Sequence, residues 1–371
     1  EVYYEYKINN GNYQSINLFN QLIHNKKYKV TIKVYDKYGN TRIVEKEIKT
    51  NELKINYKLS TKELIKNNVL VDFEKDNNNI YYSDDGINYI KVEDKLDISE
   101  NKVLYVKKTD GVNTVIDEIK IENIDKEKPN ITKFDIETST KMISIDASAT
   151  DNYGEVTYKY KLNDGNYQKS NIFDNLKDDT LYEVEIQAID KVGNVSNSKK
   201  TIRTKKLQEP VLSLSNNTFT NDSVFVTVDN MLSEIKCTYS YGKIKDKEYK
   251  NPIKLDENTT LKVKFSDGYN EKVTNVIVDK IDNKAPEVTE SKLSVKSHEI
   301  SVELNAIDKG NPTASGIKGY QYKLMLADST IVKDYTELTT KSKYTFKDVY
   351  SSTSYKIGVK VIDNLLNEVE Y

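Results

Sequence analysis

The sequence predicts an all-β fold, a tandem series of small β-sandwiches joined end to end. Three observations carry the prediction. Apolar and polar residues alternate along short stretches, the period of a strand with one buried face. Turn signals separate those stretches at short intervals. Finally, whole phrases return at fixed distances. Gly11-Asn12-Tyr13-Gln14 reappears as Gly165-Asn166-Tyr167-Gln168, and Asp36-Lys37-Tyr38-Gly39-Asn40 as Asp190-Lys191-Val192-Gly193-Asn194, both 154 residues on. Asp110-Gly111 matches Asp267-Gly268, and Lys128-Pro129 matches Ala285-Pro286, both at 157. Two module types therefore alternate as A-B-A-B-A, with boundaries expected at 1–50, 51–125, 126–206, 207–282 and 283–371. Repetition of this kind builds length and surface more readily than a single active site.

The middle A module, 126–206, is the complete copy. Pro129 opens it, and Met142-Ile143-Ser144-Ile145-Asp146-Ala147 alternates as a strand. In Val156–Leu162, Tyr158, Tyr160 and Leu162 share one face. Asn163-Asp164-Gly165-Asn166 then reads as a tight turn, with Gly165 expected to supply positive φ. In the long strand that follows, Tyr182, Val184, Ile186 and Ala188 point one way and charged or amide groups the other. The first copy repeats the frame with Tyr4, Tyr6 and Ile8, then Tyr28, Val30, Ile32 and Val34. The last repeats it with Tyr320, Tyr322 and Leu324, then Tyr355, Ile357, Val359 and Val361, around a longer loop at Ala327-Asp328-Ser329-Thr330. The B modules share another pattern: Tyr81-Tyr82-Ser83-Asp84-Asp85-Gly86, Leu96–Asn101 and Val103–Lys107 in one, and Cys237–Ser240, Ile253–Thr260 and Leu261–Phe265 in the other.

These phrases resemble known families. Tyr182–Asn194, YEVEIQAIDKVGN, resembles the penultimate strand and following turn of fibronectin type III-like domains of bacterial extracellular proteins, a likeness covering 1–50, 126–206 and 283–371. It implies an Ig-like sandwich used as a spacer or accessory module. No Arg-Gly-Asp motif occurs, so the adhesive peptide of such modules is not carried over. The pattern YYSDDG, LDISEN, LYVKKTDG resembles the small Ig-like domains at the C-termini of bacterial chitobiase and hexosaminidase enzymes, which are non-catalytic. The second B module departs from it, with Tyr241-Gly242 in place of Asp84-Asp85-Gly86. The resemblances together imply an elongated tandem array of Ig-like and fibronectin type III-like sandwiches.

Composition fits that reading. Hydrophobic residues make up 37% of 371, enough for real cores. Lys+Arg 56 against Asp+Glu 58 leaves a formal charge of -2, no field for a nucleic-acid backbone. No apolar run is long enough to span a membrane. Cys237 is the only cysteine, so no internal disulfide forms, and its strand position predicts a buried thiol. His24 and His298 are the only histidines and have no repeated partner, which argues against a histidine metal cluster or triad. No nucleophile elbow or phosphate-binding glycine loop is present. Lys159, Lys161, Lys262 and Lys264 fall on the polar parity, so a self-formed Lys–Asn crosslink is not expected there. Tyrosine is unusually frequent, 28 residues with no Trp. Most are expected to pack; Tyr13, Tyr167, Tyr81, Tyr82 and Tyr89 are the candidates for an exposed aromatic surface that contacts ligand.

Two boundaries share a form, Ile124-Asp125-Lys126-Glu127-Lys128-Pro129 and Ile281-Asp282-Asn283-Lys284-Ala285-Pro286, which predicts tight hinges with little slack. A calcium junction would need converging carboxylates from both neighbours. Asp125 with Glu127, and Asp282 with Asp308, are the calcium candidates. Their spacing does not require a metal, and solvated turn acids are the favoured reading. Asp151, Asp190, Asp308 and Asp363 follow apolar strand ends, where turn N–H groups are the expected partners. Glu1 aligns with Glu155, inside a module, so the first copy is expected to leave one sheet face bare and the last to stop short of its final strand. A longer array beyond both ends is the expected cause, and completion by another chain the alternative.

The leading functional reading is a non-catalytic extracellular stalk or spacer of a bacterial cell-surface or secreted protein. The competing readings are an adhesin or carbohydrate-binding accessory array, and a segment of a surface fibre or S-layer-like assembly. The corresponding partners are a surface glycan or protein, or neighbouring copies of the chain.

Overall fold

A computed structural model describes residues 1–76, 78–310 and 313–371. The described residues are all-β. Residues 1–50 hold β1 (Val2–Ile8), β2 (Lys27–Asp36) and β3 (Thr41–Lys49) in one antiparallel sheet, β1-β2-β3. Residues 51–125 hold β4 (Tyr57–Leu59), β5 (Val69–Phe73), β6 (Asn79–Ser83), β7 (Ile90–Lys91), β8 (Leu96–Ile98), β9 (Lys102–Thr109) and β10 (Thr114–Ile121). They form sheets β4-β5-β8 and β10-β9-β6-β7.

Residues 126–206 hold β11 (Asn130–Thr138), β12 (Ile143–Thr150), β13 (Thr157–Leu162), β14 (Ile172–Phe173), β15 (Leu181–Ile189) and β16 (Val195–Arg203). Their sheets are β11-β12-β14 and β13-β15-β16. Residues 207–282 hold β17 (Leu212–Leu214), β18 (Val224–Val228), β19 (Lys236–Tyr241), β20 (Ile244–Glu248), β21 (Ile253–Leu255), β22 (Thr259–Ser266) and β23 (Glu271–Val278). These give β17-β18-β21 and β20-β19-β22-β23. Residues 283–371 hold β24 (Glu287–Lys296), β25 (Glu299–Ile307), β26 (Ile317–Leu326), β27 (Ile331–Lys333), β28 (Lys343–Lys347), β29 (Tyr355–Asp363) and β30 (Glu368–Glu370), in β24-β25-β28 and β27-β26-β29-β30.

One strand order recurs. In each two-sheet region the first strand, the second and the one that precedes the last hairpin make a three-stranded sheet, and the remaining strands make the other. This is the Greek-key arrangement of Ig-like and fibronectin type III-like sandwiches. A second signature agrees with it. Tyr28, Tyr182 and Tyr355 lie at the start of β2, β15 and β29, and each hydroxyl accepts the backbone N–H five residues upstream, at Ile23, Lys177 and Tyr350, at 2.8–3.0 Å. A tyrosine that ties the entry of this strand to the preceding loop is a hallmark of the sandwich.

By contact density the chain forms two compact units. One comprises residues 1–135, 146–170 and 184–200, and the other residues 136–145, 171–183 and 201–371. In the first, Val69, Val71, Leu104, Val106, Ile119 and Ile121 form a hydrophobic core. In the second, Val226, Leu261, Val263 and Phe265 form one core with Cys237, and Val302, Tyr322, Leu324, Phe346, Val359 and Val361 another. The strand faces are those the alternation predicts: in β22, Leu261, Val263 and Phe265 are buried while Lys262 is exposed. Tyrosines two apart stack along one face, Tyr158 on Tyr160, Tyr239 on Tyr241 and Tyr320 on Tyr322, with ring centroids 6.1–6.5 Å apart.

The β1-β2-β3 sheet has a half-open apolar face, on which Tyr4 is 51% and Val44 46% exposed. The strand at the other end of the chain, β30, pairs with β29 over Lys360–Ile362. One turn differs from its sequence reading. Positive φ falls on Asn163 (49°), not on Gly165. Gly165 instead donates its N–H to Leu162 O at 3.0 Å, and a Cβ there would lie 3.1 Å from that oxygen. The glycine is needed for close approach, and asparagine tolerates the left-handed conformation.

Burial pushes the Cys237 thiol up to about 11, so the native protein presents almost no thiolate. The thiol should therefore react with an aromatic disulfide reagent only through opening of its core. Leu261→Ala, a fully buried truncation, should destabilise that core by about 2–5 kcal/mol and raise the labelling rate in proportion. Rapid labelling of the parent chain would contradict the packing described.

Candidate metal centres at the module junctions

The junctions are built from turns that satisfy their own backbone and the neighbour's together. At the first A-to-B junction, Asp110 accepts the N–H groups of Val112 and Asn113 at 2.9 and 2.7 Å. The Asn113 amide, oriented by Asp110, donates to Leu22 O at 3.0 Å and accepts from the His24 N–H at 3.1 Å. The second junction repeats the arrangement 157 residues on. Asp267 orders the turn, and Asn270 donates to Leu176 O and Thr140 O at 3.0 and 3.1 Å and accepts from the Asp178 N–H at 3.2 Å. The Asp110-Gly111 and Asp267-Gly268 repeat was the sequence signal for this device.

The B-to-A junctions use a different one. Asn101 pairs with both backbone groups of Ile124 at 2.8 Å, and Asn258 does the same for Ile281 at 2.7 and 2.9 Å. Single parallel bridges, Ile65 to Ile124 and Thr220 to Ile281, extend the pairing to the end of the module. The next residues are Asp125 and Asp282. Their N–H groups donate to Ile65 O and Thr220 O at 2.9 and 2.8 Å. Their carbonyls accept the amides of Asn194 and Asn367 at 3.1 and 3.0 Å, from the turn after β15 and β29.

Here three aspartates converge twice. Carboxylate oxygens of Asp125, Asp151 and Asp190 lie within 4.8 Å of one another, and so do those of Asp282, Asp308 and Asp363. Asp190 is saturated: Oδ1 accepts from Val192, Gly193 and Asn194 N–H, and Oδ2 from the Asn194 amide. Asp363 is held likewise by Leu365 and Asn367. The other acids are half-used. Asp125 Oδ1 accepts the Glu127 N–H at 3.2 Å and Asp151 Oδ2 the Tyr153 N–H at 3.1 Å. Asp282 Oδ2 accepts the Ser315 N–H and Asp308 Oδ2 the Gly316 N–H, both at 2.7 Å. The second oxygen of each of these four is buried with no protein partner. Burial first, and then the neighbouring carboxylates, push the Asp125 and Asp308 carboxyls above the ordinary range, against a hydrogen bond from a backbone N–H.

Of the acids read from sequence, Asp125, Asp282 and Asp308 therefore lie in the two groups. Glu127 is exposed and offers its backbone N–H to the first group while Asp151 and Asp190 supply the other carboxylates. The turn role expected of Asp151, Asp190, Asp308 and Asp363 is real, and it coexists with membership of a cluster. The turn equivalent to Asp190–Asn194 in the last module places Leu366 at φ 70°, where the earlier copies have glycine at 88° and 90°.

The candidate tyrosines are engaged by lysines. Lys7 and Lys33 sit over the Tyr13 ring, 4.9 and 5.4 Å from its centroid. Lys107 lies over Tyr81 and Tyr89 at 5.1 and 4.2 Å, and Lys161 over Tyr167 at 5.0 Å. Tyr82 packs against a core. The Tyr167 hydroxyl also donates to Glu185 at 2.6 Å, beside the Lys161 ion pair at 2.6 Å. Tyr335 repeats the arrangement with Lys323, Lys360 and Glu370. These are cation–π contacts within one sheet face. Both histidines serve the backbone: His24 Nδ1 accepts the Leu53 N–H, and His298 Nδ1 lies 3.1 Å from Val349 O. Buried Lys108, which sequence reading passed over, pairs with Asp76 at 2.5 Å and donates to Lys54 O at 2.9 Å.

No protein-family model and no curated protein sequence matches the chain. Solved structures do resemble it. The FN1–FN3 domains of chicken CNTN1 are 14% identical over 66% of this chain and 98% of theirs, with a TM-score of 0.21. Domains A168–A170 of titin are 10% identical over 65% of this chain and 95% of theirs, with a TM-score of 0.24. At these scores the fold rests on strand order, the tyrosine hydrogen bonds and the cores. They define a series of Ig-like and fibronectin type III-like β-sandwich modules. Among the described residues, no helix is long and apolar enough to cross a membrane.

The Glu185 cluster gives a pH signature. The Lys161 ammonium first, then the Tyr167 hydroxyl, hold the Glu185 carboxyl down at about 2. A depressed carboxyl stabilises the fold above its unfolded value, about 4.3, and loses that contribution as pH falls towards the folded one. Glu185→Gln should therefore lower the melting temperature at pH 7, with the gap to the parent closing between about pH 4.5 and 2. A gap independent of pH would show that the carboxylate charge contributes nothing.

Proposed function

We propose that the chain is an extracellular structural spacer of a bacterial cell-surface or secreted protein, made of five modules bounded at 1–50, 51–125, 126–206, 207–282 and 283–371. The observation that carries this reading is the recurrence of the junctions. Both A-to-B contacts use an Asp-ordered asparagine, and both B-to-A contacts use another asparagine pair, on equivalent backbone groups. A chain whose role is to hold distance and direction needs defined contacts between neighbours. A string of independently tumbling domains has no use for asparagines that read the next module's backbone.

The bacterial, surface-exposed setting is supported by the resemblance of Tyr182–Asn194 and of the YYSDDG pattern, and by the absence of paired cysteines in modules of this size. The engagement of Tyr13, Tyr81, Tyr89 and Tyr167 by lysine ammonium groups favours a spacer over a sugar-stacking array, since a ring face covered by a cation is not open to a pyranose.

The test places spin labels at Thr41→Cys and Lys91→Cys, two exposed positions either side of the first junction, with Cys237 buried and unlabelled. The parent should give one narrow distance distribution, independent of protein concentration. Asn113→Ala removes two hydrogen bonds across the junction, each worth about 1 kcal/mol, and should broaden it while each module's melting changes little. A broad parental distribution would overturn the spacer. Assembly that grows with concentration would favour the fibre reading, and saturable glycan binding the accessory-array reading.

A further inference from the structure

We propose that each B-to-A junction is a calcium site, formed by Asp125, Asp151 and Asp190 at the first and by Asp282, Asp308 and Asp363 at the second. Three independent features converge on it. The first is orphaned oxygen. Asp125 and Asp282 are 1% and 2% exposed, yet Asp125 Oδ2 and Asp282 Oδ1 have no protein partner, and Oδ1 of Asp151 and of Asp308 are in the same state. Buried polar atoms are almost always paired, so four unpaired carboxylate oxygens at equivalent places call for a ligand. Around them the backbone N–H and side-chain amide of both Asn194 and Asn367 are used, which makes general misfit a poor explanation.

The second feature is charge. Three carboxylates share each site, and among the described residues no lysine or arginine is ion-paired to any of the six. Burying uncompensated like charges is costly, and a dication removes the cost directly. The third is size and chemistry. Calcium takes oxygen ligands at about 2.3–2.6 Å, so two ligands on opposite sides of one ion stand about 5 Å apart. The oxygens of each group fall inside that span, within 4.8 Å. With only oxygen donors the site does not suit zinc or copper, which prefer nitrogen and sulfur. Magnesium demands a near-ideal octahedron at about 2.0–2.1 Å, which carboxylates fixed by three separate backbone segments are poorly placed to supply.

The ligands come from places that matter mechanically. Asp125 and Asp282 close the preceding module. Asp151 follows β12 and Asp308 follows β25, while Asp190 and Asp363 begin the turns after β15 and β29. A cation held by all three ties the linker to the next module, beside the exposed tryptic sites Lys126 and Lys284.

The experiment uses the whole chain, stripped with chelator and titrated with calcium chloride by calorimetry, then digested briefly with trypsin and mapped by mass spectrometry. The expected result is two calcium equivalents. Cleavage at Lys126 and Lys284 should slow about tenfold when calcium is ten times its dissociation constant. Asp151→Asn should lose one equivalent and the protection at Lys126 alone, and Asp308→Asn the other equivalent and the protection at Lys284 alone. The junction spared in each variant reports that the chain is folded. Absence of binding at millimolar calcium, two equivalents persisting in the double variant, or equal protection by magnesium chloride would each overturn the assignment. None of those results touches the spacer reading, which is tested across the first A-to-B junction.

Discussion

An asparagine side chain can accept from a backbone N–H and donate to a backbone C=O at once, and both A-to-B junctions in this chain depend on that capacity. The ends of a β-sandwich leave backbone groups that a neighbouring module would otherwise strip of water at a net cost. Asn113 and Asn270 meet those groups in the neighbouring module, while Asn101 and Asn258 meet the backbone of Ile124 and Ile281 at the end of their own modules. A glutamine would place the same amide one methylene too far out, and an aspartate could accept but not donate. The modules supply hydrophobic cores, and the asparagines fix how neighbours meet.

The same turn behaves differently according to what lies beside it. Asp36 and Asp190 order equivalent loops, each accepting backbone N–H groups and the amide of the asparagine four residues on. Asn40 faces solvent, whereas Asn194 is 3% exposed and bonded to the preceding module. Local sequence makes the loop, and the neighbour makes it part of a junction.

Much of this was legible in the sequence. Strict alternation gave the strand faces, because a period of two leaves no choice of which side chains are buried. The 154- and 157-residue offsets exposed the repeated turns, including the Asp110 and Asp267 devices. The aspartate groups were only half legible. Asp125 and Asp282 stood out beside their prolines, while Asp190 and Asp363 read as ordinary turn acids, since 65 and 81 residues of chain separate them from their partners. Nothing local distinguishes a turn aspartate that faces water from one that faces two other carboxylates. Glu127 looked equivalent to Asp125 for the same reason: adjacency in sequence does not say which way a side chain turns where an extended segment ends. Gly165 was read through its conformational freedom, when its small size is what the turn uses.

Because both junction types are written within the modules they join, an A-B pair carries a complete set of connectors. Each B module brings the asparagine turn that enters the A module before it and the aspartate that enters the A module after it. Duplication or loss of one pair in a gene would thus leave every remaining contact chemically matched, with no interface to be reinvented. Length can drift in such a lineage while junction geometry stays constant, and the near-constant spacing of the two sets of repeats is the trace such a history would leave.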